Sequence, residues 1–353
     1  MENEIEEDFL NEFNYSEKEN YNWKIIASQK EGNRSVFFGE NKKINNDVLY
    51  VKKLKIVPSL YSQILKEIYF LILFKKQKCF VDLYDMIIND DKEIIFLLFK
   101  GNQIDLKGII DSEKYHYLED KTFIKNIIYE ITLGIYFLHF NDVVHNDIKS
   151  SNILINNERE LAICDFGSAS YEKEIIKSYT IYYSPPEFLN YNIFQYDKKY
   201  DMWSLGVIII ELFLRKSLYF KKDSNKPTNT DQLKYILSKF GINEDISKTD
   251  LDILIEDDKN LRHIKFSENE INKIGDKDAI DLINHLLTLN PGNRYSAKEV
   301  LESNYLKDYL DIDLSNLVKF QKPLDFKLIS CNIDKNTFRQ IYEKLKIEFN
   351  KIK

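Results

Sequence analysis

His145-Asn146-Asp147-Ile148-Lys149-Ser150-Ser151-Asn152-Ile153-Leu154 places a carboxylate, an ammonium and an amide within six residues. A helical pattern precedes the stretch and an apolar, strand-like run ends it. The three polar groups suit phosphoryl transfer. Asp147 can take the proton of an attacking hydroxyl, Lys149 can neutralise a phosphate, and the Asn152 amide oxygen can hold a magnesium ion. After eleven intervening residues comes Cys164-Asp165-Phe166-Gly167, whose carboxylate on a turn suits the same metal. A polar loop after a helix explains any one of these residues. It does not explain two ordered motifs at this spacing.

The two stretches resemble the catalytic loop (H-R-D-x-K-x-x-N) and the D-F-G segment of eukaryotic protein kinases. The resemblance implies an α+β, two-lobed protein kinase fold. Its small lobe has a five-stranded antiparallel sheet and one helix, and its large lobe is mainly helical. It also implies ATP and Mg2+ as cofactors, with Asp147, Lys149, Asn152 and Asp165 catalytic and Asn152 and Asp165 as metal ligands.

Outward from the loop, the rest of the chain reads in the same way. Trp23 to Ala27, Ser35 to Phe38 and Val48 to Val51 are short β-branched or aromatic runs split by Gly32 and Asn45-Asn46, and they predict three strands. A helix follows Pro58-Ser59, with Ile64, Ile68, Leu71 and Ile72 on one face. Val81 to Ile88 and Glu93 to Phe99 predict two further strands, the second apolar enough to be buried on both faces. Ile124, Ile127, Ile128, Ile131, Ile135 and Leu138 keep helical spacing up to the catalytic loop. Four regions result: an acidic tail (1–20), a small lobe (21–101), a large lobe (102–310) and an extension with an amphipathic helix (311–353).

By the same resemblance Lys52 holds the α- and β-phosphates and is positioned by Glu67. Lys53 is the rival, because alternation would then turn Leu49 and Val51 inward instead of Tyr50. Gly32 is the one glycine kept from the G-x-G-x-x-G loop. Phe99 matches the gatekeeper, Lys100 and Asn102 offer backbone groups to adenine, Asp105 reaches the ribose, and Leu154 is the apolar floor under the base. Tyr50 stands where the family has a small alanine. Leu71, Leu83, His145 and Phe166 match the stacked apolar spine, anchored by Asp201.

Asp201-Met202-Trp203-Ser204-Leu205-Gly206 resembles the D-x-W-S-x-G segment, and Asn290-Pro291-Gly292-Asn293-Arg294 the D-P-x-x-R turn. Glu187 is expected to pair with Arg294. Lys149 and Thr180 point to the Ser/Thr type. Thr230-Asp231-Gln232-Leu233 and the stretch after it resemble the insert of the group that includes cyclin-dependent and mitogen-activated kinases. Lys322-Pro323-Leu324-Asp325-Phe326, then Phe338, Ile341, Tyr342, Leu345 and Phe349 on one helical face, is similar to the tail of mitogen-activated kinases behind the small lobe. Ser184 replaces an Arg common in the group, which bears on a preference for proline after the acceptor. Asn146 replaces the Arg of H-R-D and Ser170 a second basic position, while Lys66 on the small-lobe helix keeps the third charge. An activation-segment phosphate would therefore find little to hold. The alternative reading is a pseudokinase scaffold.

Composition bounds these readings. The 353 residues carry a formal net charge of −7, which argues against general nucleic-acid binding. Three scattered cysteines (Cys79, Cys164, Cys331) suit a reducing, cytoplasmic or nuclear setting rather than a disulfide scaffold. The N-terminus Met1 to Asp8 is acidic, unlike a signal peptide. The densest apolar run, Trp203 to Phe213, is interrupted by Ser204, Gly206 and Glu211 and reads as a buried helix rather than a membrane span. Expected partners are protein substrates and a regulatory protein, with no nucleic acid and no membrane; no cyclin is inferred.

Overall fold

The structure, a computed structural model, describes residues 23–31, 34–41, 48–100, 103–112, 116–156, 158–172, 179–191, 197–216, 228–240, 242, 264–309, 314, 317, 319–330 and 333–353. The chain divides into two compact units: Met1–Ile104, Ile155–Glu160 and Phe320–Lys353 form one, Asp105–Leu154 and Leu161–Lys319 the other. Gly32, Asn102 and the acidic tail 1–20 lie outside the described residues.

The first unit contains β1 (Trp23–Glu31), β2 (Arg34–Asn41), β3 (Val48–Lys55), α1 (Tyr61–Leu73), β4 (Leu83–Asn89) and β5 (Ile94–Lys100). The five strands form one antiparallel sheet in the order β1-β2-β3-β5-β4. β1, β2 and β3 run longer than the apolar runs suggest, because a strand continues through polar residues, whereas β4 begins two residues later than expected and β5 is shifted by one residue. β5 lies inside the sheet and is buried from Ile94 to Phe99, as its unbroken apolar pattern requires.

α1 begins after a 3-10 turn at Pro58–Leu60, where proline occupies the first position and gives up no needed donor. The one-faced helix expected from Ile64, Ile68, Leu71 and Ile72 needs correction. Leu65, Lys66, Tyr69, Phe70 and Leu73 are buried as well. A helix buried on nearly every side needs a second covering layer.

The boundaries between the units fall within β6 (Gln103–Asp105) and β8 (Ile153–Asn156), and the second unit contains α2 (Leu106–Asp111), α3 (Lys121–Phe140), β7 (Val143–Val144), β9 (Leu161–Ile163), β10 (Ser170–Tyr171), α4 (Pro186–Tyr191) and α5 (Lys198–Leu214). Then come α6 (Asn229–Lys239), α7 (Glu268–Ile274), α8 (Lys277–Leu286) and α9 (Ala297–Leu301). α5 is buried from Tyr200 to Leu214 and forms the centre of this unit. Gly206 has no room for a side chain, since a Cβ there would stand 2.7 Å from Leu287 Cγ. Among the described residues no helix is long and apolar enough to cross a membrane.

The covering layer of α1 comes from the far end of the chain. α10 (Lys327–Ser330) and α11 (Lys335–Ile352) belong to the first unit. Phe338, Ile341, Tyr342, Leu345 and Phe349 of α11 are all buried. Phe338 packs on Tyr61 with ring centroids 4.6 Å apart, and Phe326 meets Tyr69 at 5.2 Å and Phe70 at 5.4 Å. Polar contacts set the register: Ser62 Oγ donates to the Ile329 carbonyl at 2.9 Å and Tyr69 OH to that of Leu324 at 3.3 Å.

Removing so much buried aromatic surface is costly, at roughly 3–5 kcal/mol for a single Phe→Ala in a core. Phe338→Ala should therefore lower unfolding stability by about 3 kcal/mol in a urea titration. Truncation after Asp311 should lower the melting temperature; an unchanged value would mean that α1 does not depend on this segment.

Candidate active site

In the first unit the register of β3 against β5 sets Tyr50 opposite Phe99 and Lys52 opposite Leu97. Lys52 Nζ lies 2.5 Å from Glu67 Oε1, and both residues are buried. Lys53 is only half-buried, so the geometry favours Lys52 over its rival as the partner of Glu67. Alternation could not separate them because β3 is covered on both faces here: Tyr50, Val51 and Lys52 are all buried. Tyr50 does face inward, stacked on Phe99 at 4.6 Å and 10°. Leu71 and Leu83 are fully buried. Lys100 is exposed, its ammonium 5.2 Å from the Tyr84 ring.

In the second unit the catalytic loop hangs on a buried carboxylate. Asp201, in the first turn of α5, accepts the backbone N–H of His145 at 2.9 Å and of Asn146 at 2.8 Å, and His139 Nε2 donates to it at 3.0 Å. His145 Nε2 donates to the Cys164 carbonyl at 3.1 Å, which ties the loop to the turn carrying Asp165. His145 and Phe166 also touch, with centroids 5.2 Å apart. Asn146 and Asp165 both hold positive φ (64° and 65°), a region that Asn and Asp tolerate better than other side-chain-bearing residues.

The reactive groups converge within this frame. Lys149 Nζ stands 2.8 Å from Asp147 Oδ2. Thr180 Oγ1 donates to Asp147 Oδ1 at 2.5 Å and accepts from Lys149 at 3.2 Å. Asn152 Nδ2 donates to the Asp147 carbonyl at 2.8 Å and to Oδ2 at 3.1 Å, so the amide oxygen is turned away from Asp147. The Cys164 N–H reaches the Asn152 carbonyl at 2.9 Å and keeps Asp165 beside it. One carboxylate and one amide oxygen fit Mg2+, a hard ion that takes few protein oxygens and fills its shell with water and phosphate. Among the described residues no cluster of three or more His, Cys, Asp or Glu could hold a metal alone.

Asp105 and Leu154 complete the expected site residues among those described. Asp105 caps α2, its Oδ1 accepting the Gly108 N–H at 2.7 Å. Leu154 is half-buried on β8.

A model of the protein kinase domain matches residues 31–306. The chain belongs to the protein kinase family. Among relatives of this kinase chain, a probable serine/threonine-protein kinase of Dictyostelium discoideum is 31% identical over 319 residues, covering 84% of this chain and 50% of the relative. Cyclin-dependent kinase C-2 of Oryza sativa is 32% identical over 248 residues, covering 68% and 47%. The mitogen-activated protein kinase HOG1 of Gibberella zeae is 33% identical over 201 residues, covering 54% of each chain. The chain spans about half the length of these relatives.

The structure also contains a buried network that sequence reading did not find. Ser150 Oγ lies 2.9 Å from Tyr183 OH, which donates to the fully buried Glu211 at 3.0 Å. Ser184 Oγ donates to the Thr180 carbonyl at 3.0 Å and meets Tyr200 OH at 2.6 Å. The one signal for it was Glu211 inside an apolar helix. Arg294 is 1% exposed and pairs with Glu187 through both terminal nitrogens, at 2.8 and 3.1 Å. Glu187→Ala would leave that guanidinium buried without its counter-charge. A loss of about 3 kcal/mol is expected by chemical denaturation, and a change under about 0.5 kcal/mol, the level of an ordinary surface substitution, would show that the pair holds nothing together.

Proposed function

We propose that this chain is an ATP- and Mg2+-dependent kinase that phosphorylates Ser and Thr hydroxyls of proteins. The observation that carries the reading is Thr180 Oγ1, an alcohol held by hydrogen bonds from its proton to Asp147 and from Lys149 to its oxygen. A substrate hydroxyl taking the same two contacts would be oriented by Asp147 and steadied by Lys149. As the bond from the γ-phosphorus to the acceptor oxygen forms, the bond to the ADP oxygen breaks and the hydroxyl proton passes to the Asp147 carboxylate. Lys52, fixed by Glu67, would hold the α- and β-phosphates. Bound Mg2+ would neutralise charge on the phosphates, and Asn152 and Asp165 are the residues that would hold it.

A scaffold without turnover is favoured by one observation, Tyr50 stacked on Phe99 where the family carries a small residue. Two measurements separate the readings. The purified chain is given ATP, Mg2+ and a generic basic protein, and nucleotide binding is followed alongside phosphate transfer. Transfer that Asp147→Asn lowers at least a hundredfold supports the kinase, whereas binding without transfer supports the scaffold.

Asp165→Ala should abolish transfer and leave the melting temperature nearly unchanged, since Asp165 is half-buried beside the loop rather than part of the core. Near-normal activity at saturating magnesium would sink its assignment. Activity should also survive phosphatase treatment, because Asn146 and Ser170 provide no charge to hold a phosphate. A hundredfold loss, about 2.7 kcal/mol of transition-state stabilisation, reversed by an upstream kinase, would overturn that expectation.

A further inference from the structure

Tyr50 and Lys52 are alternate residues of β3, so both side chains leave the sheet on one face, about 7 Å apart along the strand. Lys52 is tied to Glu67 at 2.5 Å. Tyr50 is held by an aromatic contact. Phe99 stands opposite it on β5, and the two rings lie face to face, with centroids 4.6 Å apart and planes 10° from parallel. Rings paired this closely attract each other beyond the area they bury. One face of the Tyr50 ring is thus taken by Phe99, and with 6% of the residue exposed no open face remains for a flat base. Phe99 is held on its other side too, where Leu83 of β4 stands opposite it and is fully buried. A tyrosine in a strand has a second common χ1 rotamer, so its ring can leave the stack while the backbone register stays.

On the reading of this site as an ATP site, with the phosphates on Lys52 and the base toward Lys100, the nucleotide passes Tyr50, because Tyr50 and Leu49 pair with Phe99 and Lys100 in turn. We propose that Tyr50 is a gate for the base: its ring must leave Phe99 before a purine can enter, whereas the phosphates reach Lys52 without that step. Tyr50 is then a specificity-determining residue, which weakens nucleotide binding by the loss of one ring stack and leaves base-free polyphosphates unaffected. Every residue of the gate belongs to the first unit. The stack that favours a scaffold when the ring is fixed permits a kinase when the ring swings.

The Mg2+ complexes of ATP and of inorganic tripolyphosphate, which carries phosphates and no base, are titrated calorimetrically into the full chain, Tyr50→Ala and Tyr50→Phe. Tyr50→Ala should bind ATP about fivefold more tightly, the scale of one ring stack, with tripolyphosphate unchanged. Tyr50→Phe keeps the ring and should match the unaltered chain with both ligands. An equal or weaker hold on ATP in Tyr50→Ala, or an equal gain for tripolyphosphate, would overturn the gate and leave the ATP reading standing. ATP bound by none of the three proteins would overturn both. The unaltered chain supplies a second test that needs no variant. In protein labelled at Tyr and Phe, nuclear Overhauser cross-peaks between the Tyr50 and Phe99 rings should vanish with saturating ATP and persist with tripolyphosphate. Their persistence with ATP would also overturn the gate.

Discussion

The buried carboxylate of Asp201 is the constraint on which the catalytic unit depends. It has no exposed surface, and burial of an ionised group is tolerable only where donors replace water. Three do so here: two consecutive backbone N–H groups of the loop and the ring of His139. Those N–H groups belong to His145 and Asn146, the two residues immediately before Asp147. The Asp147 carboxylate is thus fixed from inside the core by an interaction made by its neighbours, and its own two oxygens stay available for Thr180, Lys149 and Asn152. In the first unit the counterpart is the buried Lys52–Glu67 pair.

Much of this was legible in the sequence because the chemistry is local. Asp147, Lys149 and Asn152 share one loop, and Asp165 follows on the next turn, so spacing alone brought them together. The sheet was legible for a similar reason, since β-branched and aromatic runs separated by turn residues map directly onto strands. Less could be read where burial depends on distant parts of the chain. α1 looked one-faced because nothing near it in sequence reveals that Phe326 and Phe338 will cover it. Lys52 and Lys53 were inseparable for the same cause: alternation identifies an inward face only when the other face is wet, and β3 is buried on both.

The C-terminal segment packs on α1, and that bears on what this helix can do. Lys66, next to Glu67, is buried with its ammonium 5.6 Å from the centre of the Phe326 ring. A lysine in that setting is held by an aromatic face and by packing of its stem rather than by water. Tyr69 and Phe70, two and three residues beyond Glu67, press on the same ring. The C-terminal segment therefore fixes the turn of helix that presents Glu67 to Lys52, and both contacts lie within one compact unit.

The described part of the activation segment is held in a matching way, by hydrogen bonds rather than by a charge cluster. Ser150 donates to Tyr183, which must give its own proton to the Glu211 carboxylate; Tyr200 donates to Ser184, whose proton goes to the Thr180 carbonyl. Each hydroxyl has a single proton to give, so the carboxylate and the carbonyl at the ends determine the directions of the two chains. Burial pushes the Tyr200 phenol well above its ordinary range, which keeps that donor protonated. A buried network of this kind is insensitive to salt, unlike pairing of surface charges. It holds Thr180, the residue that touches Asp147 and Lys149, from its C-terminal side, through its carbonyl and through Tyr183 and Ser184. These hydroxyls order the segment beside Asn146 and Ser170, two neutral residues.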